Sequence, residues 1–332
     1  MAEYAVEIEN VIKKFGDFTA VNGISLKRKN GEIFGILGPN GAGKRTTINM
    51  ILGLLNPSKG RIIVNGNDVV RSGIEIKSQI GLMTQETVVE SDLTARENLE
   101  IFARLYHVPA NEMDGRIKEA LEESELTNFA DKKAGTFSGG MKRRLELVKS
   151  MIQKPRILIL DEPTTGLDIQ NRVNMWEHIK ELNNEGVTII LTTQYLEEAD
   201  ELCERIAIID HGKIKAIGTP SELKKIAGAG RILEIVVENN ADAIAVSSLL
   251  KSDFKLEPAV KLDKVTVAID TNQEGIMAKI LAGLDKKRIK ISSINLHMPT
   301  LDDVFIKLTG SGMRDTTGEM SGDRNEVMMR RR

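Results

Sequence analysis

A chain of 332 residues with 41% hydrophobic and 28% charged side chains can bury a sizeable core, and its length suits one large domain plus a smaller one. The net charge of -2 lacks the basic excess of a protein that coats nucleic acid, and the single cysteine, Cys203, excludes an intrachain disulfide framework, in keeping with a reducing cytoplasm. The acid-containing start MAEYAVEIEN is no secretory signal, and no apolar run approaches the ~20 residues that span a bilayer, so a membrane role needs a partner.

In chain order, Ile33 to Leu37 reads as a buried strand running into a Gly-rich turn, and Thr46 to Leu55 as the helix after it. Ile62 to Val64 and Ile80 to Met83 are strand candidates. Leu93 to Tyr106 and Met113 to Glu123 carry helical periodicity. Ile157 to Leu160 is a strand closed by two acids. It is followed by a helix over Met175 to Asn184 and strands at Thr188 to Thr192 and Ile206 to Ile209. Strands alternating with helices predict a largely parallel sheet in an α/β domain.

The character changes near Gly218 to Gly230, a linker of turn residues around a short basic helix. Strand (Ile232 to Val237), helix (Ala241 to Lys251), two strands (the second Lys264 to Ile269), helix (Glu274 to Leu284) and strand (Ile289 to Leu296) then follow. That order predicts a small ferredoxin-like α+β domain. The expected division is a first domain over 1–220, a linker over 221–230, a second domain over 231–309 and a disordered polar tail over 310–332 ending in Arg330, Arg331 and Arg332.

Gly38, Pro39, Asn40, Gly41, Ala42, Gly43 and Lys44 lie between a buried strand and a helix, the context of a P-loop. Glycines let backbone N–H groups turn inward around phosphate oxygens, the helix N-terminus adds partial positive charge, and Lys44 adds a full one. The motif asks for a Ser or Thr hydroxyl after the lysine, to ligate Mg²⁺; here Arg45 stands in that place. Thr46 and Thr47 follow, but each step along a helix rotates a side chain by about 100°, so neither simply takes over. Two like unit charges ~4 Å apart repel by about 4 kcal/mol at an effective dielectric near 20, and a divalent ion more. The expectation is that Arg45 swings outward or onto a phosphate and that metal affinity and turnover are weakened. Downstream, Asp161 is placed to hold a metal and Glu162 to orient and deprotonate a water, acids delivered at the end of a buried strand.

Ser138-Gly139-Gly140 before a helix, then Asp161-Glu162-Pro163-Thr164-Thr165-Gly166-Leu167-Asp168, in this order after the P-loop, resembles the ABC ATPase family over roughly the first two thirds of the chain. The resemblance implies a P-loop NTPase cassette with a helical subdomain, using ATP and Mg²⁺. It implies that Ser138, Gly139 and Gly140 contact ATP held by a second copy in a head-to-tail dimer, with Asp168 also across that dimer. It further implies that Gln85 senses metal and water and faces a separate transmembrane permease, and that Phe15 stacks on adenine; a core phenylalanine is the rival reading of Phe15. Most of the family has His before the aromatic at the switch, where this chain has Gln194-Tyr195. A glutamine can hydrogen-bond the γ-phosphate but exchanges no proton near neutral pH, which leaves the base role to Glu162.

Gln194, the run Glu197-Glu198-Ala199-Asp200, and Pro299-Thr300-Leu301-Asp302-Asp303-Val304-Phe305 resemble the daunorubicin-resistance-type branch of exporters. Membership implies ATP hydrolysis driving export of a drug-like, antibiotic or lipid substrate, at the inner face of the cell membrane. A nucleotide-gated regulatory subunit with weak hydrolysis stays open, because Arg45 and Gln194 both alter hydrolysis positions. DNA-repair and translation relatives would need long heptad segments or two cassettes, and the sequence has neither.

Overall fold

The computed structural model describes residues 3–228, 230–269 and 275–309. The chain forms two compact units, one running to Pro220 and one beginning at Ser221.

The first unit opens with a hairpin, β1 (Tyr4–Phe15) and β2 (Phe18–Lys29), followed by β3 (Ile33–Leu37) and α1 (Lys44–Ile51). Next come β4 (Lys59–Val64), β5 (Asn67–Asp68), α2 (Gly73–Lys77) and β6 (Ile80–Met83). A helical layer follows, made of α3 (Ala95–Leu105), α4 (Ala110–Glu123) and α5 (Gly139–Met151). The unit continues through β7 (Ile157–Asp161), α6 (Ile169–Asn184), β8 (Thr188–Thr193), α7 (Leu196–Leu202), β9 (Arg205–Asp210) and β10 (Lys213–Gly218).

Strands in the order β2-β1-β4-β5 form an antiparallel sheet, and β10-β9-β3-β8-β7-β6 a second one, parallel except where β10 pairs with β9. β3 and β8 are buried at every position, as continuous apolar runs in a parallel sheet covered on both faces must be. Phe34, Ile36, Ile159 and Ile190 of the parallel sheet share one core with Val6, Ile8, Val11, Ile24, Ile62 and Val64 of the antiparallel sheet and with Ile48 and Ile51 of α1. The helical layer has its own core around Leu99, Leu121, Phe137 and Leu145. Its first helix is fixed by a capping box: the Thr94 hydroxyl accepts from Glu97 N–H while the Glu97 carboxylate accepts from Thr94 N–H.

Two features differ from the sequence reading. The β1–β2 hairpin carries register shifts between Ile8 and Val11 and between Lys13 and Lys14. Each shift breaks the two-residue alternation by which a strand is read. The helix expected to reach Leu55 ends at Ile51, because Gly53 turns left-handed at φ +65.

The second unit begins within α8 (Pro220–Ala227) and continues with β11 (Arg231–Val237), α9 (Asn240–Phe254), β12 (Ala259–Lys261) and β13 (Lys264–Ile269). It closes with α10 (Ile276–Lys286), β14 (Ile291–His297) and α11 (Leu301–Thr309). Its antiparallel sheet has the order β12-β13-β11-β14. β11 and β12 run parallel with β13 between them, which is the split β-α-β arrangement of a ferredoxin-like fold. Leu233, Ile235, Val265 and Val267 alternate inward beneath Val246 and Leu249 of α9 and Ile280 and Leu284 of α10. Glu274, the expected start of α10, and the polar tail over 310–332 lie outside the described residues.

Candidate functional site

The Gly-rich loop leaves the C-terminal end of β3, where open parallel sheets place ligands. Its path requires two glycines. A Cβ on Gly38 would lie 2.2 Å from the carbonyl oxygen of Ile209 on neighbouring β9. Gly43 has φ +103, and a Cβ there would lie 2.5 Å from Ala20 O. Ala42 is buried and packs into the core, Pro39 is half-buried, and Asn40 and Gly41 face solvent. Lys44 opens α1; its Nζ donates to Gly38 O at 2.6 Å and Pro39 O at 3.2 Å. Burial pushes its pKa down, opposed by the nearby charges of Glu162 and Asp161. The loop thus has the glycines, helix start and cation that a nucleotide's phosphates require.

The Arg45 side chain is largely exposed, and its Nε lies 3.8 Å from Asp161 Oδ2. The physical reason is the opposite charge at the end of β7, within reach of a long flexible side chain. The other Asp161 oxygen, Oδ1, accepts from Thr192 Oγ1 at 2.5 Å. Thr47 is buried with its hydroxyl donating to Gly43 O at 2.9 Å, and Thr46 is half-buried beside it.

Glu162 follows Asp161 with a left-handed backbone, φ +52, in a residue that rarely adopts it. Its N–H donates to Thr192 O at 2.9 Å. Its Oε2 accepts from Gln85 Nε2 and from Thr165 Oγ1, each at 3.1 Å, and among the described residues no hydrogen bond is made to Oε1. The structure therefore joins Lys44, Arg45, Asp161, Glu162 and Gln85 at the ends of β3, β6 and β7.

Residues 138–140 and Asp168 belong to a second cluster. Ser138 caps α5, its Oγ accepting from Met141 N–H at 3.2 Å. Gly139 is exposed, and Gly140 packs so tightly that a Cβ would lie 2.4 Å from Asn171 Oδ1. Asp168 caps α6, accepting from Asn171 N–H at 2.9 Å and from its side-chain amide at 2.7 Å, which holds its pKa below the usual range. Among the described residues no hydrogen bond or ion pair links this cluster to the Gly-rich loop. Phe15 ends β1 with its ring 48% exposed beneath Lys13 Nζ, so it is not a core residue. Gln194 is half-buried just beyond β8. A cavity of about 490 Å³, lined by Arg116, Glu119, Glu123, Lys154 and Glu185 among others, lies at the opposite ends of β7 and β8 and includes none of these candidates.

Sequence reasoning passed over Thr192, Thr165 and Arg143. Arg143 is 3% exposed and donates to the carbonyls of Thr84, Glu162 and Pro163. Nothing in the local sequence separates Arg143 from its basic neighbours Lys142 and Arg144.

Phosphates fit this loop, but a divalent ion fits its surroundings poorly. Arg45 supplies no lone pair where a hydroxyl would, Asp161 already faces a guanidinium and a hydroxyl, and Gln85 is turned to Glu162. Among the described residues no group of three or more His, Cys, Asp or Glu is placed to hold a metal ion.

The ABC transporter family matches residues 21–165, and the C-terminal domain of DrrA1-3-like ATP-binding proteins matches 218–309. The daunorubicin resistance ATP-binding protein DrrA3 of Streptomyces coeruleorubidus is 39% identical over 95% of this chain and 98% of its own length. The linearmycin resistance ATP-binding protein LnrL of Bacillus subtilis is 39% identical over 93% of this chain and 100% of its own. Among solved structures, cbiO1 of Clostridium perfringens, part of the ABC transporter complex cbiONQ, superposes with a TM-score of 0.63 at 28% identity, covering 67% of this chain and 91% of that one. A dimeric ATP-binding cassette in a post-hydrolysis state with ADP and Pi superposes with a TM-score of 0.58 at 28% identity, covering 64% and 98%. The chain belongs to the ABC transporter family as an ATP-binding, ATP-hydrolysing subunit related to the DrrA-type drug-resistance ATPases.

Proposed function

We propose that this chain is the motor of an exporter for a drug-like, antibiotic or lipid substrate, working as a head-to-tail pair at the inner face of the membrane beneath a separate permease. In this reading residues 1–220 are the cassette, 221–230 the link and 231–309 an accessory domain. The relatives named for resistance to daunorubicin and linearmycin support the substrate class. No helix among the described residues is long and apolar enough to cross a membrane. The observation that carries the motor reading is the Gln85–Glu162 hydrogen bond beside the Gly-rich loop.

Each role follows from the chemistry of the group. The loop N–H groups and Lys44 bind the phosphates, and Phe15 stacks on the base. Glu162 accepts the attacking water's proton at Oε1, while Gln85 and Thr165 hold Oε2. Gln194 orients without exchanging a proton. Ser138, Gly139 and Gly140 of a second copy complete the site, their helix N-terminus turned to the nucleotide, with Asp168 beside them. Nothing in this scheme is routed through the divalent ion that Asp161 and Gln85 would hold in most of the family.

One observation favours a second reading, a nucleotide-gated regulatory subunit with weak turnover: the Arg45–Asp161 pair stands where a metal would be held. Steady-state phosphate release with Mg-ATP separates the two. Turnover in the wild type that falls by about 100-fold or more in Glu162→Gln supports the motor. Binding without turnover, with turnover gained in Arg45→Thr, supports the regulator.

A further inference from the structure

Arg45 occupies the position at which a P-loop offers its metal ligand, and its guanidinium is directed at the acid that would share that metal. A guanidinium carries donors and no acceptor, and it stays charged at any accessible pH, so it cannot ligate a cation. A divalent ion placed beside it would be repelled by a like charge.

The Thr47 hydroxyl is spent on Gly43 O within a buried turn of α1. Lys44 and Arg45 stand beside Asp161 and Glu162.

What a metal offers bound phosphates is positive charge and orientation, and a guanidinium offers both, donating two parallel N–H groups to phosphate oxygens. The Arg45 side chain is 65% exposed, so it can pivot from the carboxylate to a phosphate. When it does, Asp161 keeps the Thr192 hydroxyl and is not stranded.

The geometry points to a nucleotide site in which Arg45 stands in for the divalent ion, so that this chain captures a nucleoside triphosphate without Mg²⁺. This rests on the ATP-binding reading above.

The test is calorimetric titration of full-length protein with a β,γ-imido ATP analogue, in Mg²⁺ and in EDTA, for the wild type, Arg45→Ser and Arg45→Lys. In the wild type the Kd in EDTA stays within about threefold of its value in Mg²⁺, a difference below 1 kcal/mol. In Arg45→Ser it weakens about tenfold or more on removing Mg²⁺. Arg45→Lys keeps the charge but loses the paired donors, and falls between the two. A wild type that weakens about tenfold or more in EDTA overturns the inference while leaving ATP binding intact. Failure of the folded wild type to bind in either condition overturns the ATP-binding reading and the inference with it.

Discussion

Arg143 Nη2 donates to the carbonyl oxygen of Glu162 at 2.7 Å. The same guanidinium reaches Pro163 O at 2.7 Å and Thr84 O at 2.8 Å, and pairs with Glu146 at 3.3 Å. Thr84 is the residue before Gln85, so one buried side chain fixes both segments whose side chains meet at Glu162 Oε2.

Removing that guanidinium is therefore expected to be costly. Arg143→Met leaves buried carbonyls unpaired and removes the ion pair from Glu146 Oε2, while Oε1 keeps the Val88 N–H. A buried pair broken on one side loses about 3–5 kcal/mol. Urea unfolding should show a loss of that size, and phosphate release should fall with it. A loss below about 1 kcal/mol, the size of an exposed ion pair, would contradict the role given to Arg143.

Glycine positions separate by their surroundings. Gly38→Ala drives a methyl to 2.2 Å from Ile209 O, whereas a Cβ on Gly139 meets nothing within 4 Å. Overpacking of this kind destabilises by about 1–3 kcal/mol. Thermal melting should show a clear loss for Gly38→Ala and none for Gly139→Ala, the latter also gaining helix propensity. Equal melting temperatures for the two variants would refute the packing account.

Glu198 provides a pH signature. It is fully buried on α7 with Trp176 Nε1 donating to Oε1 at 3.0 Å, and burial pushes its pKa up. The folded chain then holds this proton to higher pH than the unfolded chain does. Stability from that proton is present below the unfolded pKa, about 4.3, and is lost as pH rises through the folded value. Glu198→Gln removes the dependence. Its melting temperature should exceed the wild type's at about pH 8, with a smaller gap at about pH 5. A gap independent of pH would show that Glu198 is not the group responsible.

Much of the site was legible because its motifs are contiguous and impose local backbone demands. Gly38 to Lys44 announces a turn into a helix, and Asp161-Glu162 announces a strand end. The ferredoxin-like unit was legible because its strands alternate and its helices repeat cleanly. What could not be read depends on contacts between distant segments. The burial of Arg143 is dictated by carbonyls from two other segments, and no local pattern marks an arginine for the interior. The Arg45–Asp161 pair, like the Thr192–Asp161 hydrogen bond, exists because β3, β7 and β8 are neighbours. The bulged β1–β2 hairpin hid its own period.

Cys203 should behave as a silent thiol. It is buried, its pKa is raised by burial, and Gly35 packs so closely that a Cβ there would lie 2.9 Å from Sγ. A colorimetric thiol reagent at about pH 8 should leave the native protein unmodified and titrate Cys203 only after urea unfolding. Prompt reaction of the folded protein would contradict this placement.

The surface beneath Gly38 is a peptide carbonyl, that of Ile209, and a peptide carbonyl is common to every amino acid. Position 209 can therefore drift among strand-forming apolar residues without altering the shape of the phosphate loop, while position 38 is held to glycine. That shape is inherited through the register that sets Leu37 beside Ile208, not through side-chain identity. Insertion or deletion of one residue in the turn at Cys203 and Glu204 would shift that register and damage the site more than any single replacement within β9. Lineages of this chain should accordingly tolerate substitutions in β9 and resist length changes just before it.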